Sequence, residues 1–212
     1  THCRGTTRRE QVLFICKEPK TRRRRMAEIK PKKALGQHFL ASEVIAQHIA
    51  KTIQVQKKTL EIGSGLGALT DFLVNRTKKL TLVEIDSELV KVLEKKFKHT
   101  GNIEIKQGDC LGEDYSTYEV VCGLLPYNIS SQIIDRFCHS KCKIGVFVVQ
   151  KELAQRMVAE PGSRDYSRFS VLVQNNSTCK LLEVYPPEVF WPAPQVHSAL
   201  VKLVKKKPLI ID

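Results

Sequence analysis

Nowhere in these 212 residues do apolar side chains run for the roughly 20 positions needed to cross a bilayer. The longest apolar runs, such as 145–149, have the length of buried strands, so no spanning helix and no membrane partner are expected. The chain also lacks any CxxC pair, although it has seven cysteines: Cys3, Cys16, Cys110, Cys122, Cys138, Cys142 and Cys179. Cys138 and Cys142 stand four positions apart at an expected helix end with no second ligand pair nearby, which argues against zinc or another metal. An odd cysteine count without a secretory signal points to reduced thiols in a cytosol-like compartment, so the cytoplasm is the expected location. Internal repeats are absent, and so is low-complexity sequence beyond the first thirty residues.

What is present suits one folded unit. The length accommodates one full α/β domain with a buried core and is short for two. An apolar share of 42% beside 27% charged residues lies in the globular range, so the middle of the chain should fold. Of the net charge of +13, residues 1–33 carry +9, from twelve Lys/Arg and three Glu, which leaves +4 for the other 179 residues. The basic character therefore sits in an arm over 1–30 that includes Arg22-Arg23-Arg24-Arg25. Such a run is ordinarily a solvated, unstructured segment. Read functionally, it is a polyanion-binding arm driven by counterion release, or an organelle transit peptide. A further reading makes Met26 the natural start and the preceding residues extraneous.

From residue 31 onward, short β-rich runs alternate with helical patterns. Strands are expected over 59–62, 80–85, 103–107, 119–122 and 144–149, and helices over 42–53, 68–75, 87–98 and 130–137. In the third of these helices Leu89, Val90, Val92, Leu93 and Phe97 fall at helical spacing, with Ser87 as the expected N-cap. This alternation implies right-handed βαβ units and a mostly parallel sheet with helices on both faces. Two later runs, 179–184 and 199–204, follow without an intervening helix and should pair as an antiparallel hairpin at the sheet edge. The connection over 185–194 holds too many prolines for a central strand.

The strongest local signal is Leu60-Glu61-Ile62-Gly63-Ser64-Gly65-Leu66-Gly67, between an expected strand and an expected helix. Its glycines permit a tight turn and let a ligand approach the backbone. A NAD site competes at this point. The GxGxG spacing, and an acid at Glu61 ahead of the first glycine, suit a cofactor with a cationic sulfonium and an amino-acid moiety better than a pyrophosphate. Next comes Glu84, 17 residues after Gly67 at a strand end, where a carboxylate can accept both ribose hydroxyls. Asp109, in Gln107-Gly108-Asp109-Cys110, can accept from an adenine amino group. Each acid alone reads equally well as a surface residue. All three sit at the carboxyl ends of successive parallel strands, where open α/β sheets bind ligands, and together they indicate a nucleoside-cofactor site.

The fourth signal is Gly123-Leu124-Leu125-Pro126-Tyr127-Asn128-Ile129-Ser130, which resembles the Asn-Leu-Pro-Tyr motif of N6-adenine methyltransferases. Further segments resemble the small-subunit rRNA adenine N6-dimethyltransferases, the dimethyladenosine transferases. They are Lys33-Ala34-Leu35-Gly36-Gln37-His38-Phe39-Leu40, the stretch from Gln150 through Val171, and Phe190-Trp191-Pro192-Ala193-Pro194-Gln195-Val196-His197-Ser198-Ala199. The likeness covers roughly 31–204, with the motifs in the family's order. It implies a Rossmann-like methyltransferase sheet that binds S-adenosylmethionine and methylates N6 of adenines in small-subunit rRNA on the immature subunit. By this resemblance the catalytic positions are Leu124, Leu125, Pro126, Tyr127 and Phe190, with Tyr127 and Phe190 sandwiching the flipped adenine. The cofactor positions are Gln37, His38, Leu40, Glu61, Gly63, Gly65, Glu84, Ile85, Asp109, Cys110 and Leu124. His197 reads as structural, and a monomer is expected.

Two departures stand out. Leu124 occupies the family's asparagine position and offers no acceptor for the target amine, so slow or absent methyl transfer is expected. The chain also ends at Asp212, where the family usually continues into a small helical domain that grips rRNA; 31–212 reads as the catalytic domain alone. The competing readings are a non-catalytic RNA-binding or ribosome-assembly factor, an antibiotic-resistance methyltransferase acting on large-subunit rRNA and, more distantly, a mitochondrial transcription factor or a dehydrogenase.

Overall fold

Near-continuous apolar runs become strands where both faces of a sheet are covered, as in Val120–Leu124 and Ile144–Gln150. The computed structural model describes residues 30–53 and 57–207, and among these it contains nine strands and six α-helices. In chain order they are β1 (Phe39–Leu40), α1 (Glu43–Thr52), β2 (Lys58–Ile62), α2 (Thr70–Leu73), β3 (Lys79–Glu84), α3 (Ser87–Lys96), β4 (Ile103–Gln107) and β5 (Val120–Leu124). There follow α4 (Ser130–His139), β6 (Ile144–Gln150), α5 (Lys151–Val158), α6 (Arg168–Asn176), β7 (Ser177–Tyr185), β8 (Phe190–Trp191) and β9 (Ser198–Lys205). The basic arm, the Met26 start and the transit-peptide reading all fall outside the described residues, as does Asp212.

The seven-stranded sheet has the order β4-β3-β2-β5-β6-β9-β7. The first five strands are parallel, while β9 runs antiparallel to both β6 and β7. The expected hairpin therefore forms, but only β7 is at the edge. The run Ala199-Leu200-Val201 is buried completely, which suits an inner strand, whereas β7 is largely exposed. The chain starts in the middle of the sheet at β2, winds out to β4, and returns to β5 on the other side. The reversal between β2 and β5 leaves a crevice at their carboxyl ends, the usual ligand position in open α/β sheets.

Period-two alternation divides each strand between two cores. Leu82, Val120, Cys122, Val146 and Val148 pack with Ile45, Ile49, Leu69, Leu73 and Leu93 of α1, α2 and α3. Val83, Val121, Phe147 and Val149 pack with Ile133, Ile134, Phe137, Ala154, Met157 and Val173 of α4, α5 and α6. Helices α5 and α6 were not anticipated from the sequence, which supplies only two fully buried apolar residues to the first and one to the second. The expected N-cap also moves by one residue. Asp86, rather than Ser87, caps α3, because its carboxylate accepts from the Glu88 amide at 3.1 Å. Ser42 caps α1, and the connection over 185–194 holds a short 3-10 turn followed by β8, which pairs with β1.

Candidate active site

Strand order brings four loops to one end of the sheet. The glycine turn after β2, the ends of β3 and β4, and the loop after β5 surround a cleft with about 790 Å3 of open space, covered from the side by residues 35–39.

The glycine turn is tied to its neighbours through the backbone. The Gly63 amide donates to the Val83 carbonyl at 3.0 Å, and the Gly65 amide donates to Glu84 Oε2 at 3.0 Å. Gly63 (φ 65°) and Gly65 (φ 56°) both lie in the left-handed region, where a Cβ is strained. A Cβ on Gly63 would point at the Leu124 carbonyl, 3.4 Å away, so a side chain there would fill the gap between the β2 and β5 tips.

Glu84 is buried, and the donors given to it among the described residues are backbone amides, those of Gly65, of Asp86 at 3.1 Å and of Ile85. Burial pushes its carboxyl up, and those amides offset this only in part. A carboxylate in that state is a good acceptor for a further pair of hydroxyls. Beside it, Ile85 is 52% exposed in the cleft wall and offers an apolar face for a flat ring. Asp109 also lines the cleft, with one oxygen accepting from the Leu111 amide at 2.9 Å. Burial pushes the neighbouring Cys110 thiol up to about 12, so it serves as an uncharged wall residue.

Residues 32–38 are latched over this site through Asp86. Its carboxylate accepts from Lys32 Nζ at 2.7 Å and from Gln37 Nε2 at 2.9 Å, and Gln37 Oε1 accepts from the Lys32 amide at 2.8 Å. Burial would raise the Asp86 carboxyl, but the bonds from Lys32, Gln37 and Glu88 outweigh it and hold the group below its ordinary value. Asp86 carries the latch without having been singled out, since nothing in a sequence links it to residues 54 and 49 positions away. Phe39, Gly36 and Leu89 likewise line the cleft unanticipated.

On the far wall Leu124, Leu125, Pro126, Tyr127 and Phe190 face the same space. Leu124, the last residue of β5, packs its side chain against the first core cluster. Gln37, His38, Gly63, Gly65, Glu84, Ile85, Asp109 and Cys110 join them in the cleft lining, but two expected cofactor residues do not. Leu40 is 3% exposed and belongs to the core with Ile45 and Ile49, turned inward by the alternation of β1. Glu61 is buried beneath the glycine turn, where its Oε2 accepts from Thr70 Oγ1 at 2.8 Å. Its position in β2 directs it to the α2 side of the sheet, away from the cleft. The His197 side chain is exposed, and its carbonyl accepts from the Lys151 amide.

Desolvation pushes the Glu61 carboxyl up to about 8 from an ordinary 4.5, against the opposing pull of Thr70 and Lys96. The folded chain thus prefers the protonated acid. The resulting stability is complete below about pH 4.5 and is lost as pH rises through 8. Glu61→Gln keeps the acceptor for Thr70 and removes the titration. It is expected to shrink the fall in melting temperature between pH 5 and pH 8.5 by roughly 5 °C or more. Parallel pH dependence in thermal melts of the two proteins would contradict the burial of a titrating group here.

Among the described residues no helix is long and apolar enough to cross a membrane, and no cluster of His, Cys, Asp or Glu could hold a metal ion. Comparison with solved structures places the fold beside a dimethyladenosine transferase from Plasmodium falciparum, with a TM-score of 0.74 and 31% identity over 79% of this chain and 63% of that one. The 23S rRNA methyltransferase ErmE gives the same TM-score, with 29% identity over 82% of this chain and 72% of its own. In sequence, the probable ribosomal RNA small subunit methyltransferase A of Methanosarcina acetivorans is 41% identical over 80% of this chain, which spans 64% of that relative's length. The ribosomal RNA small subunit methyltransferase A of Coxiella burnetii is 40% identical over 85% of this chain and 74% of its own. The sequence profile for ribosomal RNA adenine dimethylase matches residues 28–212, and on that match and these identities the chain belongs to the ribosomal RNA adenine dimethylase family.

Proposed function

We propose that this chain binds S-adenosylmethionine and transfers its methyl groups to N6 of adenines in small-subunit rRNA, as a cytoplasmic monomer acting on the immature subunit. The observation that carries this reading is the convergence on one cleft of the Gly63–Gly65 turn, Glu84, Asp109 and the Leu124–Tyr127 loop with Phe190. The residues fit the cofactor. Glu84, lining the cleft, can accept from hydroxyls, Ile85 offers a ring platform, and the space a Gly63 Cβ would fill is left open beside the Leu124 carbonyl. When bound, the cofactor supplies a methyl group on a cationic sulfonium, a good leaving group.

The protein's task is then positional. An exocyclic adenine amine is a weak nucleophile, and holding it in line with the methyl group supplies much of the rate. Tyr127 and Phe190 would take the extruded base between aromatic faces, which is worth about 1–3 kcal/mol per stacked base. The carbonyls at the β5 tip remain as acceptors for the amine. Leu124 adds none, so transfer is slow in this chain.

That residue also favours a second reading, a ribosome-assembly or RNA-binding factor that keeps the fold and the cofactor without turnover. Transfer of labelled methyl groups to unmethylated small-subunit RNA separates the two. Slow but cofactor-dependent labelling of adenine N6 is expected. Cofactor binding with no label above background would favour the assembly factor, and labelling of large-subunit RNA alone would replace the substrate.

A further inference from the structure

Tyr127 sits in the loop between β5 and α4, yet two side chains from remote parts of the chain hold it. Its hydroxyl lies 2.6 Å from Ser198 Oγ, the first residue of β9, and Ser198 is fully buried. Its ring stacks on the His38 imidazole, with centroids 5.3 Å apart and planes at 29°. His38 is itself fixed. Its Nδ1 lies 2.6 Å from the Pro192 carbonyl oxygen, and because a carbonyl can only accept, Nδ1 carries the proton and donates.

We infer that Ser198 is a positioning residue for the reaction. With His38 covering one face of the Tyr127 ring and Ser198 holding its hydroxyl, the ring offers a single, fixed face to an incoming base. This rests on the base slot proposed above. Packing gives no reason for a hydroxyl at residue 198. The Ser198 backbone is paired with both Gln150 and Tyr185, and an alanine would satisfy the strand. A buried hydroxyl costs free energy unless it is bonded, and the partner it finds is Tyr127. Burial also pushes the Tyr127 phenol up, so it stays neutral and the hydroxyl–hydroxyl bond persists at working pH. An unbraced tyrosine in a loop would lose rotamer freedom on each binding event; here that freedom is removed in advance.

The test needs no turnover. A single-stranded RNA oligonucleotide carrying one 2-aminopurine, titrated in the presence of S-adenosylhomocysteine, reports stacking as quenched fluorescence. The unsubstituted chain should quench it. Ser198→Ala and Tyr127→Phe should each weaken probe binding roughly three- to tenfold, and the double variant no further, because both remove the same bond. Affinity for S-adenosylhomocysteine should stay level in all of them. Wild-type quenching and affinity in Ser198→Ala, or single losses that multiply in the double variant, would overturn the brace. Should Ser198→Ala fail to fold, Tyr127→Phe tests the same bond from outside the strand, and wild-type behaviour there is equally fatal. Failure of the unsubstituted chain to bind S-adenosylhomocysteine or to quench the probe would instead overturn the slot reading beneath it.

Discussion

Leu124→Asn is expected to raise the rate of methyl transfer to small-subunit RNA by ten- to a few-hundredfold. One positioned polar contact is worth about 1–3 kcal/mol, and more where charge develops in the transition state, which converts to that range of rates. The substitution should cost little stability. Position 124 ends β5, is only half-buried, and its side chain packs at the margin of the first core cluster, where an amide can turn toward the cleft. The expected signature is a rise in kcat with a smaller gain in cofactor affinity. Equal rates for the two proteins, with urea midpoints unchanged, would show that position 124 has no part in aiming the amine.

Gly65→Val should abolish useful cofactor binding. A β-branched residue at φ 56° is strained by about 1–3 kcal/mol. Its Cβ would meet Phe39 Cδ1 at 3.1 Å, so the added bulk displaces the residue that packs the N-terminal segment against the turn. The Gly65 amide would then swing off Glu84, leaving that carboxylate with one backbone donor fewer. These effects share one turn and reinforce one another, and together they should weaken S-adenosylhomocysteine binding by about a hundredfold or more. Calorimetry on a variant shown to be folded by its thermal transition reads this directly. Affinity within about threefold of the starting protein would mean that the turn does not touch the cofactor.

How far the sequence carries depends on the range of the interactions. Strands β2 to β6 are legible to within two residues, because each is a short β-rich run set off by helical or turn sequence on either side. The placement of the glycine turn, Glu84 and Asp109 in one cleft is legible too, since a strand end followed by Gly or Asp is a local pattern. What failed was side-chain direction and remote pairing. Glu61 read as a cofactor-facing acid from its place two residues before Gly63, but strand alternation turns it under the sheet to Thr70. Leu40 takes a cofactor role from the family resemblance of residues 33–40, whereas its side chain lies in the core. Helices α5 and α6 hid behind polar residues because a helix at the sheet's rim buries little. The Asp86 latch and the Tyr127–Ser198 bond span 54 and 71 positions, and no local pattern announces either.

The central claim is that the ends of β2, β3 and β4 seat a methyl-donor nucleoside beside the β5 loop. Titration of the purified chain with S-adenosylhomocysteine tests it most directly. Saturable one-to-one binding is predicted, and Glu84→Ala should weaken it by roughly a hundredfold through the loss of a charged acceptor for two hydroxyls. No measurable heat from the unsubstituted chain, and none after Leu124→Asn, would contradict it.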